Sequence, residues 1–347
     1  MLQAWCRQRR EKVLNSINPE SSNGHYKVRV RDICRLLKKT PSELAADCPG
    51  ELVDPVKNWN GLLEASVVRK LLECCGITVK PKILAFLNLK GGVGKTTSAL
   101  AVGSRAAQLG FRTCIVDMDA QASATMALGG PAEHEDFPVF YDVWQNPAMA
   151  LDSALVEISD GLFCLPSSLQ NSMLDVALSS PVAQKGAVLG VCRELRRKGY
   201  DIIILDCPPS LGGAVISTIC AADILVIPAA CDMFSMRGIK LTCKEAEAIR
   251  QTFGLPEPVI RILPTMLDQR KRLTGEMMAS LRAEYGDRVL EPGISTSSVM
   301  SKELENCRTL YATDVPRSDV HDRYDRIVDN LLELGLPNCM KEDVSLC

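Results

Sequence analysis

Residues 83–100 read ILAFLNLKGGVGKTTSAL. A short apolar run, a glycine-rich turn and then a run opening on Lys95 predict strand, loop and helix in that order. The loop nearly fits the phosphate-binding pattern G-x-x-x-x-G-K-[ST], which Gly94, Lys95 and Thr96 complete. Leu89 stands where the first glycine belongs, and a second lysine, Lys90, follows it. Between a strand and a helix such a loop is a physical site. Its glycines let backbone N–H groups approach phosphate oxygens, and the helix N-terminus adds favourable partial charge.

The expected phosphate cradle is Gly91, Gly92, Val93, Gly94, Lys95, Thr96 and Thr97. In it Lys95 would reach the β- and γ-phosphates of a nucleotide, and the Thr96 hydroxyl would join a Mg²⁺ shell. Working outward, further apolar runs stand at 113–117, 162–166, 201–206, 223–228 and 259–264. Helical segments are expected between them at 95–109, 183–198, 235–253 and 275–285. Continuous apolar strands separated by helices predict an α/β fold, a mostly parallel twisted sheet with helices on both faces. Two of these strands end in acids: TCIVDMD places Asp117 and Asp119 at one edge, and DIIILD ends on Asp206. Strand ends of that kind hold ligands. Asp206 is expected to bind Mg²⁺ directly or through water.

The rest of the chain sets the frame. With 347 residues, a large domain plus a smaller one is expected, divided at about residue 80. A net charge of −2 gives no bulk attraction to nucleic acid or to an anionic membrane, so any such contact needs a local patch. Residues 1–40 supply one, with ten Lys/Arg against Glu11, Glu20 and Asp32. NPESSNG (18–24) reads as a loop, and 30–48 as two short helices split at Thr40-Pro41, with Thr40 or Ser42 capping the second. A further helix is expected at 62–75, and the tail from Pro337 is expected to fray. No apolar run is long enough to span a membrane, and the amino terminus lacks a signal-peptide core, so a cytoplasmic location is expected. The 15 cysteines show no C-x-x-C, and with three histidines a zinc site is poorly supported; most are expected to act as small buried hydrophobes.

KGGVGKTT, DMDAQASAT and DCPPSLGGAV, in that order, resemble the deviant Walker A ATPases of the ParA/MinD group, and most of all ParA/Soj-type partitioning ATPases. The likeness runs on through 223–241 and 263–270 to the last helix, about residues 82–335. It implies ATP and Mg²⁺ as cofactors, slow ATP hydrolysis, and a homodimer that forms on ATP binding. In that dimer Lys90 reaches across to the partner subunit's nucleotide. It also implies Lys90, Lys95 and Asp119 as catalytic residues, with Asp119 orienting the attacking water. Thr96, Asp117 and Asp206 would lie around the metal, and Thr265 and Met266 near the adenine. The implied role is segregation of plasmid or chromosomal DNA, with non-specific DNA binding, nucleoid association in the ATP state, and stimulation by a centromere-binding adaptor.

The chain departs from that pattern in places. Ala120, Ala122 and Ser123 replace the usual Pro and Gly-Asn around Gln121. GISTSSVMSKE (293–303) lacks the arginine that relatives place on the DNA-binding face. Arg270, Lys271 and Arg272 are an alternative phosphate-binding group. The basic amino-terminal segment resembles the helix-turn-helix extension of longer plasmid ParA proteins. Arg31, Arg35, Lys38 and Lys39 would then contact DNA at an operator, or the segment is a structural or dimerising extension. Rival readings are a MinD-like positioning ATPase, an iron-protein-type reductase, and a DNA-binding autoregulatory repressor that uses ATP as a switch. The first lacks an amphipathic C-terminal helix, and the second the cysteine spacing.

Overall fold

Every second residue along β-type runs such as ILAF and IIIL is apolar, and so is every residue between, which leaves neither face for water. The computed structural model describes residues 26–335 other than 49, 79, 132–136, 231, 232, 269, 307 and 314. The expected loop at 18–24, the basic residues Arg7, Arg9, Arg10 and Lys12 and the tail from 337 lie outside the described residues.

The chain begins with β1 (Val28–Arg29), α1 (Val30–Leu37), α2 (Pro41–Ala46), α3 (Gly50–Lys57), β2 (Leu62–Leu63) and α4 (Ala65–Cys74). There follow β3 (Lys82–Phe86), α5 (Lys95–Gln108), β4 (Thr113–Asp117), α6 (Ser123–Ala127), α7 (Phe140–Val143), α8 (Pro147–Ala154), β5 (Val156–Ser159) and β6 (Leu162–Leu165). Next come α9 (Leu174–Ala177), α10 (Pro181–Arg197), β7 (Ile202–Asp206), α11 (Gly213–Ala221), β8 (Ile224–Ala230) and α12 (Met233–Thr252). The chain closes with β9 (Val259–Thr265), α13 (Arg272–Tyr285), α14 (Ser298–Glu305) and α15 (Asp319–Leu332).

The seven-stranded sheet runs β5-β6-β4-β7-β3-β8-β9, parallel throughout except for the edge strand β5. Its two faces follow the period of two along each strand. Leu84, Phe86, Ile202 and Ile204 enter one core with α5 and α15. Ile83, Ala85, Ile203 and Leu205 enter the other, with α10, α11, α12 and α13. The six apolar runs expected as strands all form, within a residue or two. Strand β5 and the two-residue pairing of β1 with β2 are additional; the latter takes the first residues of the expected 62–75 helix.

The amino-terminal layer shares the first core. Ile33, Leu44, Leu71 and Leu72 pack with Leu84, Phe111 and Tyr324. Its two short helices are divided as expected, and Thr40 is the cap: its hydroxyl accepts from the Glu43 N–H while Glu43 accepts from the Thr40 N–H. Helix α4 lies on the turn after α5. A Cβ at Gly110 would sit 2.4 Å from the Ala65 carbonyl oxygen and from the Arg69 Cβ, so that turn requires glycine. Arg69 then pairs with Asp201 at 2.7 Å, before β7.

Among the described residues no helix is long and apolar enough to cross a membrane. Seven of the ten described cysteines are buried, which agrees with their reading as small hydrophobes; the other three, Cys48, Cys74 and Cys75, are partly or fully exposed.

Candidate nucleotide site

Sheet register assembles the site. Asp206 pairs with Phe86 on one side and with Asp117 on the other, so the two strand-end carboxylates stand level beside the exit of β3. Beyond Phe86 the chain enters the loop, where Gly92 and Gly94 take φ of 71° and 85°, values that side chains rarely accept. Gly94 caps α5 and Lys95 opens it. The buried Lys95 donates from Nζ to the Lys90 carbonyl at 3.1 Å, folding the loop over its own lysine. Burial lowers the Lys95 pKa, while Asp206, Cys207 and Asp119 push it back up.

Asp206 is fully buried, and neither carboxylate oxygen has a hydrogen-bond partner. Desolvation holds its pKa well above the carboxylate range, and the charge of Asp117 adds to this; the Thr96 hydroxyl beside it pulls the other way without closing a hydrogen bond of standard geometry. A buried, unpartnered carboxylate next to a threonine hydroxyl and a phosphate loop fits a Mg²⁺ ion that takes its remaining ligands from water and phosphate. No cluster of three acidic, histidine or cysteine ligands occurs among the described residues, and such an ion needs none.

Asp117 is also fully buried, yet its oxygens are engaged. Oδ1 accepts from the Asp119 N–H at 3.1 Å, and Oδ2 accepts from the Thr125 N–H at 2.8 Å and its hydroxyl at 2.7 Å. Burial pushes its pKa up to about 6 against these three donors. Asp117 therefore anchors the loop that carries Asp119. Ser167 donates to the Asp119 carbonyl at 2.6 Å, and Asn171 donates to the Asp117 carbonyl at 3.3 Å and to Ser167 at 2.8 Å. Asp119 itself stays partly exposed at the rim, with Oδ1 accepting from the Gln121 N–H at 3.0 Å.

Two further residues brace the phosphate loop. Buried Asn88 donates to the Pro228 carbonyl at 2.8 Å and accepts from the Lys90 N–H at 2.9 Å, tying the loop's first turn to β8. Buried Thr265 donates to the Val93 carbonyl at 2.8 Å, tying its middle to β9. Sequence reading missed Asn88, Thr125, Ser167 and Asn171; Asn88 precedes the phosphate loop and Thr125 ends the motif DMDAQASAT, whereas Ser167 and Asn171 follow the apolar run 162–166 with no signal of their own.

A cavity of about 470 Å³ adjoins Gly94, Thr97 and Ser98. Met266, Ile294, Met300 and Tyr324 give it apolar walls, and a run of hydroxyls from Ser295 to Ser298 gives it a polar one. The size and mixed lining suit a base and ribose. Thr265 and Met266 are thus brought to the loop. The 294–301 segment, which sequence reading weighed only for DNA contact, lines this cavity instead.

The candidate DNA residues lie on other elements. Arg270, Lys271 and Arg272 face solvent but hold acids of their own segment: Arg270 engages both oxygens of Asp268, Lys271 is 3.9 Å from Asp268, and Arg272 is 2.7 Å from Glu276. On the amino-terminal layer Arg31 lies 4.0 Å from Asp32, Lys39 pairs with Asp47, and Arg35 and Lys38 are exposed.

The AAA domain family matches residues 81–256. Over 238 residues the chain is 30% identical to the sporulation initiation inhibitor protein Soj of Bacillus subtilis, covering 68% of this chain and 92% of Soj. Over 212 residues it is 29% identical to the chromosome partitioning protein ParA of Caulobacter vibrioides, covering 60% of this chain and 79% of ParA. Among solved structures, cobyrinic acid a,c-diamide synthase from Mycobacterium smegmatis with bound ADP and magnesium is similar with a TM-score of 0.61 at 25% identity, over 73% of this chain and 94% of that one.

Proposed function

Since this chain belongs to the AAA domain family, within its ParA/Soj group of partitioning ATPases, we propose that it is a switch driven by ATP, dimeric when ATP is bound, that moves or segregates DNA. The observation that carries this reading is Asp206: a carboxylate with no exposure and no partner, beside Thr96 and Lys95, is costly unless a cation and a triphosphate complete the site.

In this reading the backbone of Gly91–Thr97 and the Lys95 ammonium bind the phosphates. Thr96 and Asp206 hold Mg²⁺, which when bound neutralises developing charge on the phosphoryl oxygens. Asp119, on a loop fixed by Asp117, Thr125 and Ser167, positions the attacking water. The cavity walled by Met266, Ile294 and Tyr324 takes the base. Lys90 lies at the head of the loop, and its backbone is held from both sides by Asn88 and Lys95. Its ammonium would contact the nucleotide of a second copy, a charge-assisted contact present only in the dimer, so ATP favours association and hydrolysis releases it. DNA contact through basic surface residues, nucleoid association and stimulation by a centromere-binding adaptor complete the proposal.

Molar mass in solution tests it. With ATP and hydrolysis blocked by Asp119→Ala, the mass should double relative to ADP, and adding Lys90→Ala should return it to the monomer value. A mass independent of nucleotide would exclude the dimer switch.

A further inference from the structure

A second cavity, of about 230 Å³, lies at the far end of α5 from the phosphate loop, where β1 meets residues 311–313 and 315–317. Five cationic side chains line it, Lys27, Arg29, Arg31, Arg105 and Arg317, against one acid, Asp32. Carboxylates around it answer part of that charge. Lys27 pairs with Glu64 at 2.6 Å, and Arg31 lies 4.0 Å from Asp32. Asp325 serves two guanidiniums at once, Arg105 at 2.7 Å and Arg317 at 2.8 Å, and Arg317 also reaches Asp322 at 2.6 Å. Arg29 makes no ion pair among the described residues. Arg105 is 1% exposed, and its Nε lies 2.7 Å from Asp325 Oδ1. His321 closes the wall in neutral form: its Nδ1 accepts from the Ser318 N–H and its Nε2 donates to the Leu310 carbonyl.

A set of salt bridges that merely held the amino-terminal layer in place would close on itself. This one leaves a void lined by five cations against one acid, and the Arg29 guanidinium without an ion pair among the described residues. We propose that the cavity is a regulatory anion site that takes a small phosphorylated ligand. Planar guanidinium forks match the oxygens of a phosphoryl group. The volume is below the roughly 300 Å³ at which sites for drug-sized ligands begin, which favours one or two phosphoryl groups over a whole nucleotide. The site is also wired to the nucleotide. Tyr324, in the wall of the large cavity, bonds Ser98 one turn into α5, and its neighbour Asp325 bonds Arg105 near the end of the same helix. An anion that draws Arg317 or Arg105 away from Asp325 shifts α15 at Tyr324, so the two ligands alter each other's affinity.

Calorimetric titration of pyrophosphate into the full-length, ADP-saturated protein tests this, because ADP already fills the phosphate loop. One binding event is expected, weakened about tenfold or more in Arg29→Ala and in Arg31→Ala, as loss of a charge-assisted contact requires. Both side chains lie toward the surface, and thermal melting reports whether each variant is folded; Arg29→Lys should recover part of the affinity. The dissociation constant for ADP should change when pyrophosphate is saturating, and not in Arg29→Ala. No binding to the wild type, or equal binding to both alanine variants, would overturn the site. An unchanged ADP affinity would overturn its coupling. Displacement of pyrophosphate by a short DNA duplex would overturn the free-ligand assignment in favour of a nucleic-acid phosphate, and indifference to the duplex supports the small anion.

Discussion

Asp206 is ready for a cation before one arrives. With no exposure and no partner, its charged form is destabilising in the nucleotide-free protein. Asp206→Asn keeps the shape and removes the charge that burial disfavours, so it should stabilise the nucleotide-free protein, while abolishing turnover. Denaturant unfolding without nucleotide, beside a phosphate-release assay, checks both halves; a destabilised variant would mean that the carboxylate is already satisfied. Thr265 makes a second case. If it braces the loop through the Val93 carbonyl, Thr265→Val should cost about 1–3 kcal/mol by leaving that carbonyl unpaired, and Thr265→Ser should restore it. A residue that only touched the base would lower affinity in both variants and stability in neither. Lys95 and Thr96 were readable in the sequence because phosphate chemistry demands those residue types at fixed spacing, Asp206 as an acid ending an apolar strand, and Asp119 through the family resemblance. Asn88, Thr125, Ser167 and Asn171 were not, because each acts by a hydrogen bond between segments that only the fold brings together. Asp117 was legible as a site residue, but its bonds to Thr125 could not be seen until the loop was folded.

At the scale of elements, α15 joins the core to the charged network. Its N-cap is Ser318, whose N–H donates to His321 Nδ1 at 3.0 Å, and His321 Nε2 donates to the Leu310 carbonyl at 2.9 Å. Desolvation, with Arg317 and Arg105 nearby, depresses the His321 pKa below the usual 6.5, although the Leu310 carbonyl and Asp325 oppose this. The native histidine thus refuses a proton that the unfolded chain accepts. The unfolded state binds more protons below pH 6.5, so stability falls as pH drops through that value and levels off once the native ring is also protonated. The slope of unfolding free energy between pH 7 and pH 5 should shrink in His321→Gln even though that variant is less stable overall; an unchanged slope would place the titration elsewhere. Long elements were legible because burial imposes a period: apolar strands such as Thr113–Asp117, where every residue is buried, and helices such as Lys95–Gln108. Strand β5 escaped because Glu157 interrupts its apolar residues and a bulge breaks its pairing. The β1–β2 pairing escaped because two residues carry no period at all.

Over the whole molecule, the amino-terminal layer and the nucleotide fold bury one continuous set of side chains. Leu71 and Leu72 are fully buried in the same core as Leu84, Phe111 and Tyr324, and Tyr324 is the side chain that bonds Ser98 beside the phosphate loop. Polar links add to this contact. The Lys27 N–H donates to Thr313 at 2.8 Å, Arg69 pairs with Asp201, and the Tyr26 hydroxyl meets Thr309. A change of composition near residue 80 is visible in the sequence, because basic residues cluster before it and strand–helix alternation begins after it. Shared burial is not visible there, since an apolar helix face looks the same whether it covers its own layer or a neighbour's. Removing residues 1–80 would strip cover from Phe111, Leu109 and the α15 side of the core, exposing side chains that are each worth about 1.5–3 kcal/mol when buried. A chain of 81–347 should therefore aggregate on expression, or melt well below the full protein, and bind ADP weakly if it stays soluble. Fusing residues 26–80 back should restore the melting temperature. A truncated chain that is monodisperse, with an unchanged melting temperature and ADP affinity, would show instead that the layer is an appendage, and would return the choice for these residues to operator binding or dimerisation.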